Sequence, residues 1–391
     1  MKFAHLGDCH LGAWKQPEMQ ELSMQAFAKA LEICKQEKVD FILISGDLFD
    51  TALPSVDILK EATGLLRSVK EEGIRIYCIA GSHDFSATGK TFLDVLENAG
   101  LIVNVAKEEN GILKIFKDPV GAKIAGWVGK KGGLEKHDYE KFDFSQLERE
   151  DGFKIFMFHS TIDELKPREL EMIEGHSVNL LPRNFNYYAG GHIHARIEKH
   201  IPTHGLVVYP GPLMPANFLE LEKLKHGGFY IVEVENNTVK PRFMPISLVD
   251  VKSCTINVDG LTPLEAEEKI LTSVEDWENK LLLLRIEGAI NGKLSDINLK
   301  AIDEKFKDAF LILKNTSRLT TKEVEKIEVK AGTIDEIENS AFENLDENSK
   351  LLAKKLFQIL DIEKDEEEKK ANFEERLLKE VKPVMEKLIE K

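Results

Sequence analysis

Cysteine is scarce in this chain. Cys9, Cys34, Cys78 and Cys254 are the only four among 391 residues, and none forms a CxxC pair. That spacing excludes a disulfide framework and a thiolate zinc site, and it suits a reducing compartment. No apolar run approaches the roughly 18 residues a membrane-spanning helix needs. Asp8 interrupts the first apolar stretch too early for a secretion signal, so a cytoplasmic protein without membrane contact is expected. Positive charge is not in excess: 53 Lys and Arg face 68 Asp and Glu, for a net charge of −15. A wholly basic nucleic-acid coat is therefore excluded, but a local basic groove is not. Internal repeats are absent. So is a phosphate-binding P-loop, because Gly89-Lys90-Thr91 has Asp84 where the motif requires glycine.

Short apolar runs alternating with helical patterns are what the sequence does have. Residues 2–7, 41–45 and 74–80 read as buried strands. Residues 19–37 and 56–71 read as helices, the first with apolar positions at Leu22, Ala26, Phe27, Ala30 and Leu31. This alternation predicts parallel β-α-β units. The pattern is strand-rich from 112 to 208, and runs at 229–234 and 240–245 close one large α/β domain over residues 1–245. A β-α-β-α-β module is expected across 246–318, with strands at 248–258, 281–287 and 309–314. Its first helix starts with Thr262 as N-cap and Pro263 at the first helical position and runs to about Asp276. Its second helix covers 295–307. A polar linker spans 319–345. The tail, 346–391, carries two apolar helical stripes around the charged run 365–370. One runs through Leu351, Leu352, the stem of Lys355, Leu356 and Leu360. The other runs from Phe373 and Leu377 to Ile389 and is interrupted at Pro383.

Five strand ends release polar residues of one kind. They are Gly7-Asp8-Cys9-His10, Gly46-Asp47-Leu48-Phe49-Asp50, Gly81-Ser82-His83-Asp84, the strand ending at His159, and Gly190-Gly191-His192-Ile193-His194. Ligands of open α/β sheets bind at the carboxyl ends of strands. A lone histidine after a strand is usually a satisfied core or surface residue, but five such ends in order are different. Gathering their carboxylates and imidazoles together costs several kcal/mol unless cations neutralise them. Nitrogen and oxygen donors without thiolate fit Mn²⁺, Fe or Zn²⁺ better than Ca²⁺. Seven donors are too many for one tetrahedral site and suit two ions bridged by a carboxylate. Such a pair clamps the attacking and leaving oxygens of a phosphoryl displacement.

These five motifs resemble those of the calcineurin-like metallophosphoesterases. Within that superfamily the chain resembles the double-strand-break repair nucleases of the meiotic-recombination-eleven type, called SbcD in bacteria. FAHLGDCHLG at the start, LFDTALPS after the second motif, GGHIHAR, YPGPL (Tyr209 to Leu213) and GGFYIVE (Gly227 to Glu233) carry that resemblance. It implies a four-layer α/β/β/α sandwich with a small capping domain, 246–318, that helps to choose and orient DNA, and a C-terminal helical tail. By position it implies that Asp8, His10 and His194 hold one metal, that His159 and His192 hold the second, and that Asp47 bridges them. His83 would protonate the leaving oxygen as general acid. Two Mn²⁺ per chain are implied, with Mg²⁺, Fe or Zn²⁺ as alternatives. The implied activities are 3′→5′ exonuclease on duplex ends and endonuclease on single strands, in double-strand-break repair. The implied partners are DNA and an SMC-like coiled-coil ABC ATPase (the SbcC counterpart) docked on the C-terminal helices. Homodimer formation through the early helices and a nucleoid-associated location complete the expectation.

The sequence departs from the family at two positions. Ser82 stands where the family usually places an Asn whose amide oxygen binds the second metal, so a softer second position is expected. Asp50 stands where relatives often have His. Two other readings compete: hydrolysis of small phosphodiesters or phosphomonoesters, and a weakly active scaffold that recruits the ATPase. Lys130-Lys131-Gly132-Gly133 reads first as a solvated turn, with a phosphate-backbone contact as the alternative. His137, His176, His200, His204 and His226 read as structural or surface residues. Phe142, Phe144, Tyr187 and Tyr188 read as core.

Overall fold

The computed structural model describes residues 1–86, 91–170 and 173–322, and beyond them Lys355, Ile359, 377–379 and 381–383, which are helical. The chain divides into two compact units, Met1–Leu319 and Thr320–Lys391. Most of both tail stripes, and the linker from 323 onward, lie outside the described residues, as does most of the Gly89-Lys90-Thr91 stretch. No helix among the described residues is long and apolar enough to cross a membrane.

Two six-stranded sheets form the centre of the first unit. The first has the order Thr238–Ile246, Gly227–Glu235, Lys2–Leu6, Phe41–Ser45, Arg75–Ile79, Val103–Asn104. Lys2–Leu6 pairs in parallel with Phe41–Ser45, which pairs in parallel with Arg75–Ile79, while Gly227–Glu235 closes the other side antiparallel. The second sheet has the order Ile197–Ile201, Gly205–Tyr209, Tyr187–Gly191, Lys154–His159, Lys123–Gly126, Phe116–Lys117, and its four middle strands are parallel.

Side-chain alternation explains why these strands read as continuous apolar runs: both faces are covered. Phe3, Phe41, Leu43, Tyr77 and Ile79 meet Ile124, Ile155, Met157, Tyr187 and Val208 between the sheets. The intervening residues Ala4, Leu6, Ile42, Ile44, Ile76 and Cys78 face a second core. Helices Pro17–Gln36 and Val56–Glu71 supply Phe27, Ala30, Leu31, Ala62 and Leu66 to it. The outer face of the second sheet is covered by short helices and loops through Tyr139, Leu147, Leu165 and Val178. The layers are thus α/β/β/α. Tyr187 and Tyr188 are fully buried on opposite faces of one strand, and Phe142 and Phe144 pack against the outer core.

The segment after Ile246 builds a three-stranded sheet, Val251–Asn257, Leu281–Ile290 and Leu311–Thr321, with helices Pro263–Thr272 and Leu299–Lys305. Thr262 and Glu265 form the capping box that starts the first helix. That helix stops at Thr272, short of Asp276. The hydroxyls of Thr272 and Ser273 bond back to carbonyls of the last turn there. The second helix is interrupted because Asn298 caps it afresh, accepting the Ala301 N–H at 3.2 Å. The last strand runs seven residues past Lys314. Leu313 and Leu319 are its only two buried residues, so the apolar run fades while the strand continues. The module is seated on the sandwich by Leu281, Leu283 and Leu313 against Trp14, Met19, Leu22 and Leu221. Arg285 adds a forked ion pair to Glu222, with bonds of 2.6 and 2.9 Å.

Candidate metal centre

The five motifs leave the carboxyl ends of parallel strands, three in the first sheet and two in the second, and the packing of the two sheets brings them together. The loops are locked together by backbone bonds. Asp8 N–H donates to Gly46 O at 3.2 Å, and His10 N–H donates to Asp47 O at 2.9 Å. Asp8, His10, Asp47 and His192 all take left-handed φ, at 50°, 45°, 49° and 91°. Such residues cost roughly 1–3 kcal/mol each and collect at functional sites. Gly81 is needed for closure, because a Cβ there would collide with the Asp47 carboxylate.

Three sets of potential ligands converge, the atoms of each set lying within 4.8 Å of one another: Asp8, His10 and His194; Asp8, Asp47 and His159; and His10, Asp50 and His83. Asp8 is common to the first two sets, and Asp47 belongs to the second. Asp47 Oδ2 is 3.1 Å from His159 Nε2 and 3.6 Å from His10 Nε2, while its Oδ1 accepts the His83 N–H at 2.7 Å. His192 donates its backbone N–H to the Asp8 carboxylate at 2.9 Å and stacks edge-on to His159, with centroids 5.1 Å apart. Ser82 is buried beside them and shares cavity walls with His83 and His192.

The imidazoles are oriented alike. His159 Nδ1 is 2.8 Å from Ser45 O, His10 Nδ1 is 3.0 Å from Asp50 Oδ1, and His194 Nδ1 is 2.9 Å from Glu220 Oε1. In each, Nδ1–H donates outward to an oxygen and leaves the Nε2 lone pair pointing into the cluster. That is how histidines are held when they ligate metals. The Nε2 atoms of His10 and His194 face each other at 3.1 Å. His159 Nε2 is fully buried and has no hydrogen bond, although Asp47 Oδ2 is 3.1 Å away, because the alignment is wrong for one. An orphaned buried nitrogen beside the Asp47 carboxylate fits a divalent cation.

The charges agree. Burial alone would make the His159 imidazolium unfavourable, but Asp47 and then Asp8 overcome it and raise its pKa. Burial would likewise raise the Asp47 pKa, yet His159 and His10 hold that carboxyl well below the usual range. A cation in the same cage would take the place of the proton. Burial, reinforced by His159, lowers His192 to about 3, so its imidazole is neutral, and His192 belongs to none of the three converging sets.

Two residues at this centre were not singled out from the sequence. Asp84 is fully buried beneath it and accepts the N–H groups of Phe49, Leu48 and Gly81 at 2.9–3.1 Å, pinning the second motif to the third. Burial and the nearby Asp47 raise its pKa. Its place directly after His83 was the available signal. Glu220 lies 26 residues beyond His194, and no local pattern marks it.

Residues 1–196 match the calcineurin-like phosphoesterase family. The DNA double-strand break repair protein Mre11 of Archaeoglobus fulgidus is 26% identical, over 94% of this chain and 82% of that protein. Mre11 of Methanocaldococcus jannaschii is also 26% identical, over 80% and 82%. The uncharacterized metallophosphoesterase YhaO of Bacillus subtilis is 25% identical, over 72% and 68%. The motif order, the converging nitrogen and oxygen donors and the match over half the chain lead to one conclusion: this chain belongs to the calcineurin-like phosphoesterase family of metal-dependent phosphoester hydrolases.

Proposed function

We propose that this chain is a Mn²⁺-dependent DNA nuclease of double-strand-break repair, a 3′→5′ exonuclease on duplex ends and an endonuclease on single strands. The observation that carries the reading is the shared orientation of His10, His159 and His194, whose Nε2 atoms converge around Asp8 and Asp47. Similarity to the archaeal Mre11 proteins supports DNA as the substrate.

In this reading Asp8, His10 and His194 would hold one ion, His159 and His192 would hold the other, and Asp47 would be shared by both. Ser82 is the soft ligand of the second position. The nitrogen-and-oxygen donor set accepts Mn²⁺, with Mg²⁺, Fe or Zn²⁺ as alternatives. Bound divalent ions supply Lewis-acid charge to the phosphoryl oxygens and make a water more acidic. His83 is the general acid. Its Nδ1–H donates to Asp50 O at 2.8 Å, which leaves Nε2 to deliver a proton to the leaving sugar oxygen. The Asp50 carboxylate lies 3.5 Å from Nδ1.

The proposed organisation is a nuclease domain at 1–245, a capping domain at 246–318, a linker at 319–345, and a segment at 346–391 that docks an SMC-like coiled-coil ABC ATPase. The chain is proposed to act as a homodimer, in a cytoplasmic and nucleoid-associated setting. A second reading, hydrolysis of other phosphoesters, is kept open by the likeness to a metallophosphoesterase of undefined substrate. Digestion of end-labelled linear duplex with Mn²⁺ tests the choice, beside His83→Ala. Progressive 3′→5′ shortening by the wild type alone is expected. Hydrolysis of small phosphoesters with intact DNA would favour the second reading.

A further inference from the structure

Two cavities meet at the metal centre and share Ser82, His83, Thr161, Ile173 and His192 in their walls. The first, of about 530 Å³, is walled by apolar side chains such as Leu170, Ile193, Leu219 and Leu224 on one part and by Glu220, Lys223 and the histidines of the centre on the rest. The second, of about 480 Å³, is walled by Lys131, Gly132, Gly133 and Lys136. Both volumes suit a nucleotide-sized group.

The lysines of the second cavity are placed for an anion. Lys131 is exposed and Lys136 half-buried, and neither has a carboxylate within 4.0 Å among the described residues. Their neighbour Lys130 is already committed to Asp138 at 2.5 Å. Glu135 shares the wall, but its carboxylate is occupied by the Lys130 backbone N–H at 3.0 Å. Glu174, on the opposite side of the lining in sequence, is exposed. Gly132 and Gly133 both take left-handed φ, 68° and 69°, so a tight turn brings Lys131 to the cavity wall where side-chained residues would be strained. Lys131 and Lys136 thus bring two cationic side chains to the cavity that adjoins the candidate metal centre.

We propose that the Lys131/Lys136 cavity is a subsite for a second phosphate of the substrate, next along the chain to the phosphate being cleaved. This deepens the nuclease reading and rests on it. The subsite makes the centre select an oligonucleotide over a single small phosphoester. Lysine serves this purpose well, because it engages phosphate as a point charge without a fixed fork geometry. The apolar part of the first cavity then takes the uncharged face of a nucleoside.

The test is binding of a short labelled oligothymidylate to the full chain in EDTA, followed by fluorescence anisotropy across a salt series. Wild type is compared with Lys131→Ala/Lys136→Ala and with Lys131→Arg/Lys136→Arg. The alanine pair is expected to bind about tenfold more weakly at low salt. Its slope of log affinity against log salt should shrink by about 0.7, the value for one neutralised phosphate of a single strand. The arginine pair should restore both. Equal affinity and slope in wild type and the alanine pair would overturn the subsite. Hydrolysis of bis(4-nitrophenyl) phosphate and of DNA with Mn²⁺, run alongside, probes the parent reading separately. Lysine-dependent binding without DNA cleavage would leave the phosphate subsite standing and remove the nuclease reading.

Discussion

His194 Nδ1 lies 2.9 Å from Oε1 of Glu220, a residue on the short helix Phe218–Leu224. Two residues further along that helix, Glu222 holds Arg285 of the three-stranded module. One seven-residue helix therefore touches a candidate metal ligand on one side and the appended module on the other. The aim of the His194 ring depends on how that helix is seated.

Glu220→Ala should weaken metal binding about 10–100-fold, the usual cost of losing an outer partner of a ligating histidine. Glu220→Gln, which keeps an acceptor oxygen, should fall between it and wild type. A Mn²⁺ titration followed by electron paramagnetic resonance reads this directly. An unchanged isotherm for the alanine variant would remove Glu220 from the site's support.

His83→Ala should lower kcat on DNA by about 10²–10⁴-fold, the range for loss of a general acid. The loss should be much smaller on bis(4-nitrophenyl) phosphate, because a nitrophenolate leaves without needing a proton. Steady-state kinetics on the two substrates separates the roles. An equal loss on both would point to His83 as a ligand rather than an acid.

Ser82→Asn should tighten the second metal position, since the longer amide oxygen reaches further into the cage than a hydroxyl. Isothermal titration of the metal-free protein with Mn²⁺ should then show two strong sites where the wild type shows one strong and one weak. Identical occupancy in both proteins would count against a role for residue 82 in holding metal.

His5 provides a pH dependence away from the ligands. It is buried between the sheets, with Nδ1 2.8 Å from the Tyr187 hydroxyl and Nε2 2.9 Å from the Ser45 hydroxyl. Burial lowers its pKa from the ordinary 6.5 to about 3. Below 6.5 the unfolded chain takes up a proton that the folded chain refuses. Stability should therefore fall on acidification from about 6.5 towards 3, by up to about 1.4 kcal/mol per pH unit from this one group. His5→Gln should be less stable at neutral pH but should lose stability less steeply in that window. Urea unfolding at a series of pH values measures both slopes, and parallel slopes would refute the assignment.

Much of the sandwich was legible because its strands are short and covered on both faces. Phe41–Ser45 reads as continuous apolar residues and is fully buried. The capped helix at Pro263 was legible for a local reason, since Thr262 and Glu265 are three residues apart. Boundaries failed where burial is one-sided. The strand Leu311–Thr321 continues through polar residues that only its neighbouring strand and core explain.

The sequence by itself determined which donors occur, in what order, and at which strand ends, because glycine, aspartate and histidine at fixed short spacings are properties of the covalent chain. Only the tertiary structure decided where each imidazole points. His159 meets the Ser45 carbonyl 114 positions away, and His194 meets Glu220 from a separate helix. Those partners follow from which strands lie side by side and how the layers pack, and no local spacing encodes that. The same holds for Lys131 and Lys136, which share a cavity wall with Ser82 and His83 only because two strand-end loops close on one centre.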